Sequence, residues 1–244
     1  MTAERWARAV RHQLGLGRLL PLGGARDGAW ITEQAAGAVL GRAARETRGL
    51  RLGPVRIGLA DPADVREPAV PPPPGALPPG PLRVTAEFAA TASEPLPVTA
   101  ARLRALVVTA AQGLGLEVAE VDLRVTDLLD EEPEPPAREP RPDPVRPSEP
   151  APAAPSGGDD DAVRAAEAAL GVPGVDRLTD VLGRPAHITE RQDDTAALPR
   201  RHVRVELAVG TGHRALDVAR KVRAAVERAL PGHPTVAVLV TAVG

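Results

Sequence analysis

The 244-residue sequence has no cysteine and no tyrosine, and its only aromatic residues are Trp6, Trp30 and Phe88. Without cysteine there is no disulfide, no thiolate metal site and no cysteine nucleophile. With aromatics at 1%, a core must be built from alanine, valine and leucine, which supply most of the 43% hydrophobic content. Such residues suit thin layers of helix on sheet. No apolar run approaches the roughly 20 residues that a membrane-spanning helix needs. The opening residues lack the apolar region of a secretory signal, so the expected compartment is the cytoplasm. A formal net charge of −2 lacks the basic excess of a dedicated DNA-binding protein. Lys221 is the sole lysine, a bias that fits a GC-rich genome.

What the chain has in abundance is proline, in two stretches of different character. From about Asp130 to Gly158 the sequence offers almost no residue able to enter a core. From Asp130 to Asp160 it carries nine acids against three arginines, a balance of −6, while the segments on either side come to +2 each. Such a segment cannot offset its ordering entropy, and residues 130–158 are predicted to be an extended, disordered acidic linker. The other stretch, Pro68 to Pro81, lies between two strand-like runs. We read residues 61–81 as a long loop inside a domain.

The pattern on either side of the linker predicts an α+β fold of two small modules, each with helices on a three- or four-stranded sheet. Residues 28–129 form the first module. Ile31 to Thr47 has Ile31, Ala35, Val39 and Ala43 at helical spacing. Leu52 to Leu59 and Leu82 to Ala90 alternate as strands, Val98 to Gln112 is helical, and Glu117 to Leu128 alternates through Val121, Leu123 and Val125. Residues 159–244 form the second module. Asp159, Asp160 and Asp161 open a helix over Ala162 to Leu170, where the dipole favours acids. Short strands are expected around Arg177 to Leu182 and Pro185 to Thr189, then a strand through Val203, Val205, Leu207 and Val209. A helix from about His213 to Ala229 and a strand through Val236, Val238 and Val240 close the chain.

The halves align. Leu103-Arg104-Ala105-Leu106-Val107 matches Val222-Arg223-Ala224-Ala225-Val226 at an offset of 119 residues. A strand precedes and follows that helix in each half, which suggests duplication of a domain of roughly 85 to 100 residues. Two further segments carry a family likeness. One is Trp30-Ile31-Thr32-Glu33-Gln34 running through Ala43-Ala44-Arg45-Glu46 to Gly49-Leu50. The other is Gly115-Leu116 followed by Glu117 to Val125. In these the chain resembles the alkaline shock protein family, also called the Gls-type envelope stress response family. Val172-Pro173-Gly174-Val175 and Arg204 to Gly210 carry the weaker match of the second half. The Tyr-Gly that the family places before its second helix is replaced by Ser93-Glu94-Pro95, and Gly212-His213 is the nearest counterpart in the second half. The chain also resembles uncharacterised actinobacterial proteins that carry a nucleopolyhedrovirus fibrillar-protein label, though no heptad repeat supports a fibrillar reading. The resemblance implies a non-catalytic protein of the cell envelope and stress response. Some members of the family self-assemble or dock on small membrane-anchored partners, and no catalytic residues come with it.

No residue constellation points to an enzyme. His12, His187, His202, His213 and His233 include no i, i+4 pair. Gly210-Thr211-Gly212 lacks a third glycine and a following lysine, so it reads as a tight turn and not a phosphate loop. Ser93, Ser148 and Ser156 have no G-x-S-x-G elbow, and Asp193-Asp194 reads as a solvated turn. No metal or cofactor is expected.

Two surfaces remain as binding candidates. In the amphipathic residues 1–27, Trp6, Val10 and Leu14 fall on one helical side with Arg5, Arg8 and Arg11 flanking, ahead of Leu16, Leu19, Leu20 and Leu22. The favoured reading is packing against the first module, and the alternative is docking on a partner or an anionic membrane surface. In the second module, Arg200, Arg201, Arg204, Arg214, Arg220, Lys221 and Arg223 form a candidate anion or nucleic-acid surface, diluted by Glu206, Asp217 and Glu227. The expectation is a cytoplasmic scaffold or protein-interaction protein, peripheral at the inner face of the membrane if residues 1–22 or a partner hold it there. Nucleic-acid or small-ligand binding by the basic helix is the alternative.

Overall fold

The computed structural model describes residues 17–130, 157–191 and 200–244. Within them the protein is α+β, with nine strands in two sheets and four helices packed on them. The first half contains β1 (Leu19–Leu22), β2 (Ala29–Thr32), α1 (Glu33–Arg45), β3 (Leu50–Leu59), β4 (Leu82–Thr91), α2 (Leu96–Leu114) and β5 (Val118–Leu129). The second contains α3 (Gly157–Leu170), β6 (Val175–Leu178), β7 (Ala186–Arg191), β8 (Arg200–Val209), α4 (Ala215–Ala229) and β9 (Thr235–Val243). No helix among the described residues is long and apolar enough to cross a membrane.

From α1 onward the first half runs helix, strand, strand, helix, strand, and the second half repeats this order with two short strands, β6 and β7, in place of β3. In the short sheet β3 pairs antiparallel with β4, and β4 pairs parallel with β5. In the long sheet β6 and β7 together take the place of β3 on one edge of β8, and β8 pairs parallel with β9. The offset of 119 holds in detail. Val84, Ala86, Phe88 and Ala90 are buried, as are Val203, Val205, Leu207 and Val209. The parallel ladder slips after Phe88 in one half and after Leu207 in the other. Helix α2 has nineteen residues and α4 fifteen. That difference of about one turn reappears in the register, where Phe88 faces Val125 and Leu207 faces Val240.

The halves are not separate bodies. Strand β2 pairs parallel with β9, Ala29 to Ile31 lying opposite Val238 to Val240, and β1 pairs antiparallel with β2. The expected boundary at residue 28 is therefore crossed, because Ala29–Thr32 complete the sheet of the second half. The helix predicted from Ile31 starts instead at Glu33. Ala29, Trp30, Ile31 and Thr32 are buried in succession, as an inner strand covered on both faces demands. Thr32 then caps α1, its hydroxyl accepting from the Ala35 N–H at 3.2 Å. One hydrophobic cluster runs through both halves, joining Leu40, Ile57 and Leu103 to Val205, Val222 and Val238.

A second, smaller cluster lies on the other face of the long sheet, formed by Leu19, Trp30, Val70, Ala237 and Leu239. The proline-rich loop 61–81 covers it. Trp30 Nε1 donates to the Leu77 carbonyl at 3.2 Å, and the Leu77 N–H donates to the Leu19 carbonyl at 2.8 Å. Ala76 bridges Leu19, so the loop also shields the edge strand β1. Prolines hold such a segment extended while asking for few backbone partners.

Candidate functional site

Most of the basic residues of the second half are engaged inside the protein. The turn between β1 and β2 brings Asp27 under α4. Arg220 grips that carboxylate with Nε on Oδ1 at 2.8 Å and Nη2 on Oδ2 at 3.1 Å, and the Gly24 N–H adds a third bond at 2.7 Å. Burial would raise the Asp27 pKa, but the Arg220 and Gly24 hydrogen bonds and the nearby charge of Arg223 outweigh it and hold the group below its ordinary range. Arg223 donates to three carbonyls, those of Arg26 (2.8 Å), Asp27 (2.6 Å) and Val236 (2.9 Å). The predicted anion-binding helix is thus an internal clasp that holds the β1–β2 hairpin to α4.

Arg201 pairs with Asp161 of α3 at 2.5 Å, Arg204 with Glu206 at 3.2 Å, and Arg214 with Asp217 at 3.7 Å. Only Arg200 and Lys221 of the seven are exposed without an ion pair among the described residues. Trp6, Val10, Leu14, Arg5, Arg8 and Arg11 lie outside the described residues. Leu19, Leu20 and Leu22, expected to continue that amphipathic stretch, are buried in β1 and present nothing to a membrane.

The residues weighed for catalysis do not converge. His202 sits at the start of β8, its Nδ1 2.9 Å from Thr235 Oγ1, while His213 lies beyond the far end of that strand. His187 titrates below its ordinary value because it is partly buried and faces Arg204 and Arg184. The described residues contain no group of three or more histidines and carboxylates able to hold a metal. At Gly210-Thr211-Gly212 the Gly210 N–H is spent on the Gly174 carbonyl at 2.9 Å, and Gly212 takes φ 78° to turn the chain into α4. Ser93 meets Thr91 Oγ1 at 2.8 Å in a cleft of about 610 Å³ at the far ends of β4 and β5. Arg48, Arg102 and Glu94 also line that cleft, with Arg102 and Glu94 paired at 2.9 Å.

Glu206, expected among the acids that dilute the basic surface, is instead fully buried. Its Oε2 accepts the Leu182 N–H at 2.9 Å, and Arg204 stands 3.2 Å from Oε1. Burial raises its pKa, against the lowering pull of the Leu182 N–H and Arg204. The carboxylate anchors the loop between β6 and β7, so that Leu182 packs against the Trp30 cluster. The equivalent position in the first half is Glu87, which is exposed, because β3 there continues with only a bulge between Leu52 and Val55.

What remains open is an edge. In the long sheet, the outer edge of β9 is filled by β2, and the Val238 N–H reaches across to the Gly28 carbonyl at 3.0 Å. The equivalent residues of β5 are Leu123, Arg124 and Val125. No strand among the described residues pairs with that edge of β5. Its one side-chain contact there is Arg104 Nε on the Val121 carbonyl at 3.3 Å. The opposite edge of the short sheet is partly closed, since Glu33 accepts the Ile57 N–H at 2.8 Å and Arg18 donates to the Ile57 carbonyl at 3.3 Å. Val125 and Leu128 of β5 are 37% and 56% exposed, so apolar side chains accompany the unpaired backbone. A twelve-residue open edge with apolar side chains is a template for pairing with another chain. No family model, curated protein or solved structure matches this chain.

Proposed function

We propose that this protein is a non-catalytic scaffold that binds an extended segment of a protein along the outer edge of β5. The observation that carries the reading is the contrast between equivalent strands. The β9 edge is occupied by a strand of the same chain, whereas no strand among the described residues pairs with the corresponding edge of β5. Main-chain hydrogen bonds would supply affinity, and the exposed Val125 and Leu128 would supply apolar contact. In this reading the two halves are a duplicated module of the alkaline shock type, acting in the cytoplasm in envelope stress. Residues 1–16 or a partner would provide contact with the inner face of the membrane. Anion or nucleic-acid binding through α4 has less behind it, because Arg220 and Arg223 are committed to the hairpin.

The test is a photo-crosslinking residue placed at Val125 and, separately, at the equivalent Val240. We expect crosslinks from position 125 to a second polypeptide and from position 240 only within the chain. Crosslinks confined to the same chain at both positions would overturn the proposal.

A further inference from the structure

We infer that the segment received by β5 is the β5 strand of a second copy, running antiparallel about a two-fold axis at Leu123. This rests on the reading of β5 as an interaction edge and names its occupant. The run from Glu120 to Val125 keeps a constant register with β4 and is bounded by a shift at each end. It is the straight part of the strand, and within it the sequence complements itself. With Leu123 facing its own counterpart, Asp122 faces Arg124 of the second copy, and Arg124 faces Asp122. One residue further out, Val121 faces Val125 in both directions. Opposed residues in an antiparallel pair share a face of the sheet, so both charge pairs fall on the outer face and the three aliphatic pairs fall on the helical face.

Shifting the axis by one residue, which slides the register by two, destroys this match. An axis at Asp122 opposes two aspartates, and an axis at Arg124 opposes two arginines, each a like-charge contact that destabilises a sheet. Backbone direction agrees with the axis at Leu123. In β9 the Val238 N–H points to the edge that β2 occupies, so the N–H of the equivalent Leu123 points to the open edge of β5. Two Leu123 residues can then exchange both hydrogen bonds of a paired position. The Val121 carbonyl already accepts from Arg104 but has a second lone pair for a Val125 N–H. Arg124 is exposed and has no ion pair among the described residues, while Asp122 has only a 3.6 Å contact with Arg83, its side chain 62% exposed. The pairing would join two short sheets into one of six strands, with the helices of both copies on the same side.

Sedimentation velocity on the full chain over a concentration series tests this. The expected result is a monomer–dimer equilibrium that Arg124→Asp weakens about tenfold or more, because both charge pairs reverse together. Asp122→Arg should weaken it similarly. The chain carrying both substitutions restores opposite charges across the axis and should recover dimerisation, which separates the pairing from any damage to the fold. A wild-type chain that is monomeric throughout overturns the inference, as does a dimer indifferent to both single substitutions or one that the double exchange does not restore. If the chain is monomeric but position 125 crosslinks to a different protein, self-pairing fails and the scaffold reading stands. If position 125 crosslinks to nothing outside its chain, both fall.

Discussion

Strands β5 and β9 occupy corresponding places in the two halves and have opposite surroundings. Strand β9 lies between β8 and β2, with loop 61–81 and Leu182 over its outer face, and Val236 to Val240 are all buried. Strand β5 is paired on one side, and most of its residues beyond Val121 are exposed. The difference follows both chain connection and strand sequence, since the positions that are Ala237 and Leu239 in β9 are Asp122 and Arg124 in β5. The β1–β2 hairpin precedes α1 in the first half yet crosses to the sheet of the second. The stretch that precedes α3 in sequence is the proline-rich 130–156, in which ten of 27 residues are proline. Among the described residues the equivalent sheet edge is therefore closed in one half and open in the other.

The most damaging way to probe this contrast is proline. Val240→Pro removes a donor from an inner strand, and we expect a loss of ~3 kcal/mol or more, enough to unfold a marginally stable protein. Val125→Pro removes the equivalent donor from an edge that is open within the single chain, where proline is tolerated, and should cost the monomer ~1 kcal/mol or less while weakening any pairing between copies. Urea unfolding of both variants, at a dilution where the chain is monomeric, measures the gap. Similar losses at the two positions under that condition would mean that the β5 edge is covered within the chain itself.

A smaller effect separates the two outer faces. Glu206→Ala should cost ~1–3 kcal/mol, because it leaves the Leu182 N–H without its acceptor and the largely buried Arg204 without its counter-charge. Glu87→Ala, at the equivalent and exposed position, should stay within ~0.5 kcal/mol. Thermal or urea unfolding distinguishes them. Limited proteolysis between β6 and β7 should also accelerate in the Glu206 variant alone.

These contrasts also show where reading the sequence stops. Helices α2 and α4 were legible because one buried face imposes a period, and strands β4, β8 and β9 because β-branched and large aliphatic residues alternate along them, as in Val203, Val205, Leu207 and Val209, even where β8 and β9 are covered on both faces. Strands β1 and β2 were not, because both faces are buried and four successive covered residues carry no alternation. Proline content marks residues 61–81 as a loop, but its place over Trp30 depends on contacts between residues more than 40 positions apart in sequence. The basic helix showed its charges and concealed their partner, since Asp27 lies 193 positions before Arg220. The pattern of β5 identified a half-buried strand. Which side of it is open depends on strand order, which local pattern does not encode.

The smallest expected effect concerns the clasp that attaches the hairpin to the second half. A double-mutant cycle of Asp27→Asn and Arg220→Gln should give a coupling of about 1 kcal/mol at neutral pH, since Arg220 is half-exposed and solvent screens the pair. The pH dependence of that coupling has a definite sign. Asp27 is held below its ordinary pKa by Arg220 in the folded state, so its contribution is fully present above the unfolded value and disappears as pH falls through the folded one. Glu206 runs the other way, because burial raises its pKa. The folded chain binds that proton more tightly than the unfolded chain, so the contribution of Glu206 is present at acid pH and lost as pH rises through its folded value. Glu206→Gln keeps an acceptor for Leu182 and removes the titration. Urea unfolding at stepped pH should show stability falling less with rising pH in Glu206→Gln than in the wild type, and falling less with acid in Asp27→Asn. If the two variants tracked the wild type in parallel across the acid range, neither carboxylate would be shifted by the fold. The turn between β1 and β2 would then be held to α4 by the Arg223 bonds to backbone carbonyls, without help from the Asp27 charge.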